Sequence, residues 1–282
     1  MPRHIVCLTF DFDVVSIPIA RGQTTPTALS RGEFGLVGAD RLLDLLAARG
    51  LPATWFIPGH TLESFPAPCA RIHTAGHEIG HHGWTHRQPA ALSAAEEEQE
   101  LLRANLAIEA VTGQKARGYR SPAWNISAAT LDLLITHGFS YDSSMMGHDY
   151  LPYFARRGDQ APLLDPFVFG APTNLLEMPI SWSLDDYPHF EYGVTQAGIL
   201  PGLSAAGGVL QNWIDDFDYM AETHDWGVIT YTFHPFVIGR GHRMKLLARL
   251  LDHLSAKGAI FMAMEAAAAE ARTHLTGRTS DA

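Results

Sequence analysis

Apolar residues along this chain fall into two kinds of run that take turns. Short strand-like runs, most apolar at Ile5 to Phe10, cover that segment, Ala53 to Ile57, Ala116 to Tyr119, Phe139 to Asp142, Asn174 to Ile180, Gly227 to Phe233 and Ala259 to Met262. Such runs predict strands of parallel type, which are covered on both faces and so need no polar alternation. Between them lie segments with helical spacing. Asp40 to Arg49 carries a leucine stripe at 42, 43, 45 and 46 and stops at Gly50-Leu51-Pro52. The clearest helix runs from Ser93 to Thr112: Ser93 and Glu96 form a capping-box pattern and Gly113 ends it. Further helices are predicted in part of the stretch up to Ala75, from Ser127 to His137, from Ala205 to Thr223, from Arg243 to Ala256, and in a tail from Glu265 that frays at its end.

Strand and helix alternate with no internal repeat and no linker-like break. That order predicts an α/β fold with a (β/α)-barrel arrangement in one domain, residues 1–282. Two segments, Val14 to Gly38 and Ser143 to Thr173, lack periodicity and are rich in Gly, Pro and Ser. They read as long loops over the face where such barrels keep their chemistry.

Composition narrows the function. The net charge of −10 and the lack of any Lys- or Arg-rich run exclude a nucleic-acid groove and disfavour an anionic membrane partner. No apolar stretch is long enough to span a bilayer, and the N-terminus has no signal-peptide pattern, which predicts a cytoplasmic protein. Two cysteines, Cys7 and Cys69, are too few for a disulfide scaffold or a cysteine-built zinc site, and Cys7 reads as a buried thiol.

Polar chemistry collects where strands end. Gly76 to His86 holds four histidines, at 77, 81, 82 and 86. His82 and His86 stand four apart, as do His77 and His81, and on a helical turn either pair would project from one face toward a single ion. Thr9-Phe10-Asp11-Phe12-Asp13 puts two carboxylates on one face of a strand end, costly unless a cation or a proton lies between them. One aspartate and two histidines can hold zinc or a similar ion, leaving the other aspartate beside its water as a base.

The order Thr9-Phe10-Asp11-x-Asp13, Gly76-His77-Glu78-x-Gly80-x-His82-x3-His86, Arg120-x-Pro122-x-Trp124 and His234-Pro235 resembles the polysaccharide deacetylase family (NodB homology, carbohydrate esterase family 4). The resemblance implies a distorted barrel of about seven parallel strands and a divalent metal, usually zinc. By position it implies Asp13, His82 and His86 as metal ligands, leaving His77 and His81 structural. It implies Asp11 as the catalytic base, Arg120 as the residue that orients that base, and His234 as the acid that protonates the departing nitrogen. Trp124, Pro122, Trp182 and Asp186 are the candidate substrate-contacting residues. Either Asp185 or Asp186 could also hold His234 protonated, as the family's fourth motif does. Glu177 and Asp142 read as structural.

Departures from the sugar-active pattern shift the expected substrate. Phe12 separates the aspartates, and the metal segment reads His-Gly-Trp-Thr-His. With Glu177 to Trp182 and Phe233 to Arg240, these features resemble a cytoplasmic, often tetrameric branch that contains cyclic imide hydrolases. The leading expectation is therefore a metal-dependent hydrolase of small cyclic imides or related amides, acting as a homo-oligomer. The alternative is an N-deacetylase of peptidoglycan or chitooligosaccharide amino sugars.

Overall fold

The computed structural model describes residues 2–195 and 198–278, so the expected fraying of the chain end lies outside the described residues. Eleven strands are β1 (Arg3–Asp11), β2 (Thr54–Ile57), β3 (Glu78–His81), β4 (Gly118–Tyr119), β5 (Tyr141–Asp142), β6 (Tyr153–Arg157), β7 (Ala171–Glu177), β8 (Gly193–Thr195), β9 (Gly198–Leu200), β10 (Trp226–Phe233) and β11 (Ile260–Phe261). The helices are α1 (Ser16–Ala20), α2 (Pro26–Arg49), α3 (Gly59–Ser64), α4 (Pro66–Thr74), α5 (Ala94–Thr112), α6 (Thr130–Thr136), α7 (Asp186–Phe190), α8 (Ala206–Thr223), α9 (Pro235–Ile238), α10 (Gly241–Ala256) and α11 (Met264–Arg278).

The main sheet runs β10-β1-β2-β3-β4-β5-β7-β6, with β11 added to β1. Every pairing from β10 to β7 is parallel, as is that of β11 with β1, which makes eight strands of one direction in this sheet, and only β6 runs against its neighbour. The path is open, so the sheet curls into a half-barrel. β1 is its axis. From Ile5 to Asp11 every residue of β1 is buried, as a strand covered on both faces requires. Its register with β10 pairs Phe10 with Phe233, so the residues after both strands, from Asp11 and from His234, emerge side by side. No described helix is long and apolar enough to cross a membrane.

The long-loop expectations are corrected. Val14 to Gly38 is mostly helix: α1 begins at Ser16 and α2 at Pro26, capped by Thr25, whose hydroxyl accepts from the Ala28 amide. Its glycines were misleading because they serve packing, not flexibility. Gly32, Gly35 and Gly38 recur every third residue and so share one face. A Cβ at Gly32 would stand 2.2 Å from the Val14 carbonyl oxygen, and one at Gly38 only 1.9 Å from that of Pro235. The second segment, Ser143 to Thr173, contains β6 and the start of β7, an antiparallel pair with a register shift between Phe154 and Arg156. The shift breaks the alternation that would mark a strand in sequence.

Gly38→Ala is expected to destabilise the protein by about 1–3 kcal/mol, because the methyl meets backbone and cannot be absorbed by a side-chain shift. Since Pro235 follows His234, any activity that depends on that histidine should fall with it. Calorimetry and a rate measurement on the same sample check both.

Candidate active site

Four strand ends and the segments that follow them supply the site. Asp11 closes β1, and Asp13 follows after Phe12, whose ring turns the other way to pack edge-on against Trp55 at 5.8 Å. His82 and His86 follow β3, Arg120 follows β4, and His234 follows β10. The two histidines are not on a helical turn as their spacing predicted. They lie in an irregular bend with positive φ at Gly83 (69°) and at His86 (59°), which turns the chain so that both rings still meet, 5.1 Å apart.

Arg120 is fully buried and spent on two tasks. Nη1 donates to Asp11 Oδ1 at 2.9 Å and to Thr9 Oγ1 at 2.8 Å; Nη2 and Nε donate to Ser143 Oγ and its carbonyl at 3.0 and 3.2 Å. Burial alone would raise the Asp11 carboxyl, but the charges of Arg120, His82 and His234 outweigh it and hold it below its ordinary value. Asp11 is thus kept ionised with Oδ2 left toward the histidines. Behind this, Asp142 and Glu177 hold the turn that holds Arg120. Ser144 Oγ donates to Asp142 Oδ1 at 2.6 Å, and Glu177 Oε1 accepts from the Ser144 and Met145 amides, both at 2.8 Å. Burial raises both acids, Asp142 to about 6. Their structural reading fits this geometry.

Asp13, His82 and His86 form a convergent group whose ligand atoms all lie within 4.8 Å of one another. His82 Nδ1 donates to the Arg120 carbonyl at 2.8 Å, which turns its Nε2 toward Asp13 Oδ1 (3.6 Å) and Asp11 Oδ2 (3.8 Å). His86 Nε2 stands 3.8 Å from Asp13 Oδ1. Burial, reinforced by the charges of His82 and His234, pushes His86 well below its ordinary value, so it is neutral and able to ligate. Both Asp13 oxygens and His82 Nε2 are buried without a hydrogen-bond partner. Burial and the nearby Asp11 push the Asp13 carboxyl up to about 6 despite His82 and His234. Two imidazole nitrogens and one carboxylate, orphaned and converging, fit a divalent ion of the zinc type.

Asp185, Asp186 and His234 also converge within 4.8 Å, but their atoms are already used. Asp186 accepts from the His234 amide at 3.0 Å and pairs with Nδ1 at 2.8 Å; Asp185 caps α7 through the Tyr187 amide at 2.8 Å and sits 3.5 Å from Nδ1. This is a proton-holding cluster. Burial would lower His234, yet Asp185 and Asp186 raise it well above its ordinary value, leaving Nε2 a charged donor 4.0 Å from Asp13 Oδ2. His77 and His81 stand apart from the convergence. His81 is buried between the Leu101 carbonyl (3.0 Å) and the Gly83 amide (3.2 Å), and burial lowers it to about 4.

A chamber of about 130 Å³ opens onto these groups, lined by Asp11, His86, His234 and Asp185, with Ile17, Arg21, Ala123, Trp124, Trp182 and Tyr187. Trp124 and Trp182 form its aromatic wall, ring centres 4.4 Å apart. Two expected substrate contacts are not among the lining. Asp186 is fully buried behind His234, and Pro122 packs near Gly83. Sequence reasoning missed Ile17, Arg21 and Tyr187. The available signal was Arg21, the single charged residue between Val14 and Ser30.

Comparison with known proteins agrees with this geometry. A family model described as polysaccharide deacetylase matches residues 32–141. A protein named peptidoglycan deacetylase from Helicobacter pylori is 37% identical over 83% of each chain. Among solved structures, a Mycobacterium smegmatis protein described as a candidate polysaccharide deacetylase superposes with a TM-score of 0.82 at 30% identity, over 97% of this chain and 91% of that one. The Puue allantoinase shares the fold at 20% identity, with a TM-score of 0.78 over 98% of this chain and 91% of its own.

Proposed function

Because the chain belongs to the polysaccharide deacetylase family, whose members hydrolyse carbon–nitrogen bonds other than peptide bonds, we propose that it is an N-deacetylase of amino sugars of the peptidoglycan class. The observation that carries this reading is the identity to the Helicobacter pylori peptidoglycan deacetylase along most of both chains. It reverses the order of the expectations from sequence, in which small cyclic imides came first.

Asp13, His82 and His86 would hold the divalent ion, zinc by the character of the donors, and when bound it would supply a Lewis acid and a more acidic water. The chain's own residues do the rest. Asp11, ionised beside Arg120, takes the proton of the attacking water through Oδ2, since Oδ1 is engaged. His234 gives the proton on Nε2 to the departing amine, while Asp186 carries Nδ1 and keeps the ring in one orientation. Trp124 and Trp182 stack on the sugar and keep bulk water off.

Asp186→Asn is expected to move the alkaline limb of kcat to lower pH. Imidazolium is the working form, and removing one of the two carboxylates that raise its pKa lets it lose its proton earlier. At about pH 8 the rate should fall tenfold or more, which a pH–rate profile measures directly.

Opening of cyclic imides is retained as a second reading on one observation, the chamber's volume of about 130 Å³, against the roughly 300–1,000 Å³ of pockets for drug-sized ligands. The deciding experiment measures acetate release from N-acetylated peptidoglycan fragments and chitooligosaccharides beside ring opening of succinimide, with zinc and with chelator. Chelator-sensitive acetate release is expected. Ring opening without acetate release would replace the deacetylase reading with the imide one.

A further inference from the structure

The acids at the site each face a basic group of the fold. Asp11 has Arg120 at 2.9 Å, Asp13 faces His82 and His86, and Asp185 and Asp186 share His234, with the charge of Arg243 felt at Asp186. Arg21 is the exception. It follows α1 and lies exposed at the chamber wall; its charge is felt at Asp13, but it pairs with no carboxylate within salt-bridge distance among the described residues. Among the described residues its side chain donates one hydrogen bond, from Nη1 to Tyr187 Oη at 2.7 Å. A guanidinium has five N–H donors in a rigid fork, so most of this one is uncommitted.

The tyrosine does more than occupy one donor. Its ring lies 5.2 Å from that of His234, and the Arg21 carbon Cζ lies 5.7 Å from the same ring. Arg21 is therefore braced in a defined place relative to the acid side of the site, rather than swinging free in solvent. The guanidinium and the reacting groups line one chamber of about 130 Å³, so whatever Arg21 holds is only a few atoms from the scissile bond.

Resting on the deacetylase reading, we propose that Arg21 selects substrates bearing a carboxylate close to the N-acyl group, engaging it through the free edge of the guanidinium. The preferred substrate is then an acidic N-acyl sugar, with the carboxylate on a substituent of the carbon next to the acetamido carbon, and not a neutral N-acetylglucosamine polymer. A planar fork on a carboxylate is the geometry in which arginine outperforms lysine.

N-acetylmuramate and N-acetylglucosamine differ by one lactyl ether, with its carboxylate, on the oxygen of the neighbouring carbon, which makes them the probe pair. Binding of each to the metal-loaded protein is followed by the fluorescence of Trp124 and Trp182, and acetate release is measured in parallel. The wild type should bind the acidic sugar about ten- to a hundredfold more tightly, as a charge-assisted pair supplies. In Arg21→Gln the ratio should collapse to near one, and in the wild type it should shrink with added salt. Equal binding of the two sugars by the wild type, an equal loss of both in the variant, or a salt-independent ratio would overturn the assignment of Arg21. Carboxylate-selective binding with no acetate release from either sugar would uphold Arg21 and instead overturn the deacetylase reading.

Discussion

His86→Ala is expected to release the bound divalent ion and to lower amide hydrolysis by about a thousandfold or more. Metal ions contribute several kcal/mol of transition-state charge stabilisation, and each 1.4 or so is a factor of ten. Two ligands, Asp13 and His82, would remain, but they are joined to no third donor except the solvent. The fold should survive, since His86 lies in the bend after β3 and outside the parallel ladder that carries the sheet. Metal content after dialysis, circular dichroism and the hydrolysis rate together test this. Full activity in the variant would sink the ligand assignment.

Asp13→Asn should have two effects of opposite value. It should abolish metal binding and activity, and yet stabilise the metal-free protein at neutral pH. The folded protein raises the Asp13 carboxyl from the usual 3.8 to about 6, chiefly by burial. Above pH 6 both folded and unfolded chains have lost this proton, and the folded chain carries an unsolvated charge that costs about 3 kcal/mol, from 1.36 per unit. Below pH 3.8 both hold it and the cost vanishes. For this group the stability of the chelated wild type therefore falls as pH rises from 4 to 6, and Asn removes that slope. Thermal unfolding in chelator, at acidic and neutral pH, checks the sign. An unchanged or lower melting temperature for the variant at pH 7 would contradict it.

Much of this arrangement could be read from residue order alone. The strand ends were legible because buried parallel strands are written as unbroken apolar runs, and β1 between Ile5 and Asp11 is one. Asp11, Asp13, Arg120 and His234 were legible because they stand at or just after predicted strand ends, and His82 and His86 because four histidines crowd one short stretch in an order that matches a family motif. What escaped depended on contacts between distant segments. Three glycines in α2 lowered its helical signal, and only the backbone of Val14 and Pro235 lying against them explains why they are there. The β6–β7 pair was hidden by its register shift. Asp186 was expected in contact with substrate, and only the fold reveals that it lies behind His234. Ile17, Arg21 and Tyr187 meet over the chamber from segments more than 160 residues apart, a proximity no local pattern encodes.

The neighbouring registers of β1 and β10 divide the labour of the site in a way that bears on how its specificity can change. The proposed base and acid are fixed by hydrogen-bonded ladders on adjacent strands, Phe10 beside Phe233, so their separation is a property of the sheet. The chamber walls come from the helix and turn segments around Ile17, Ala123, Trp182 and Tyr187, which no ladder holds apart from a single bridge from Asp185 to Thr232. Substitutions that retune substrate choice can accumulate in those walls without disturbing the proton path. A library confined to residues 17, 21, 123, 124, 182 and 187 is thus the economical route to new amide substrates, and one that randomises the strand ends would yield mainly inactive protein.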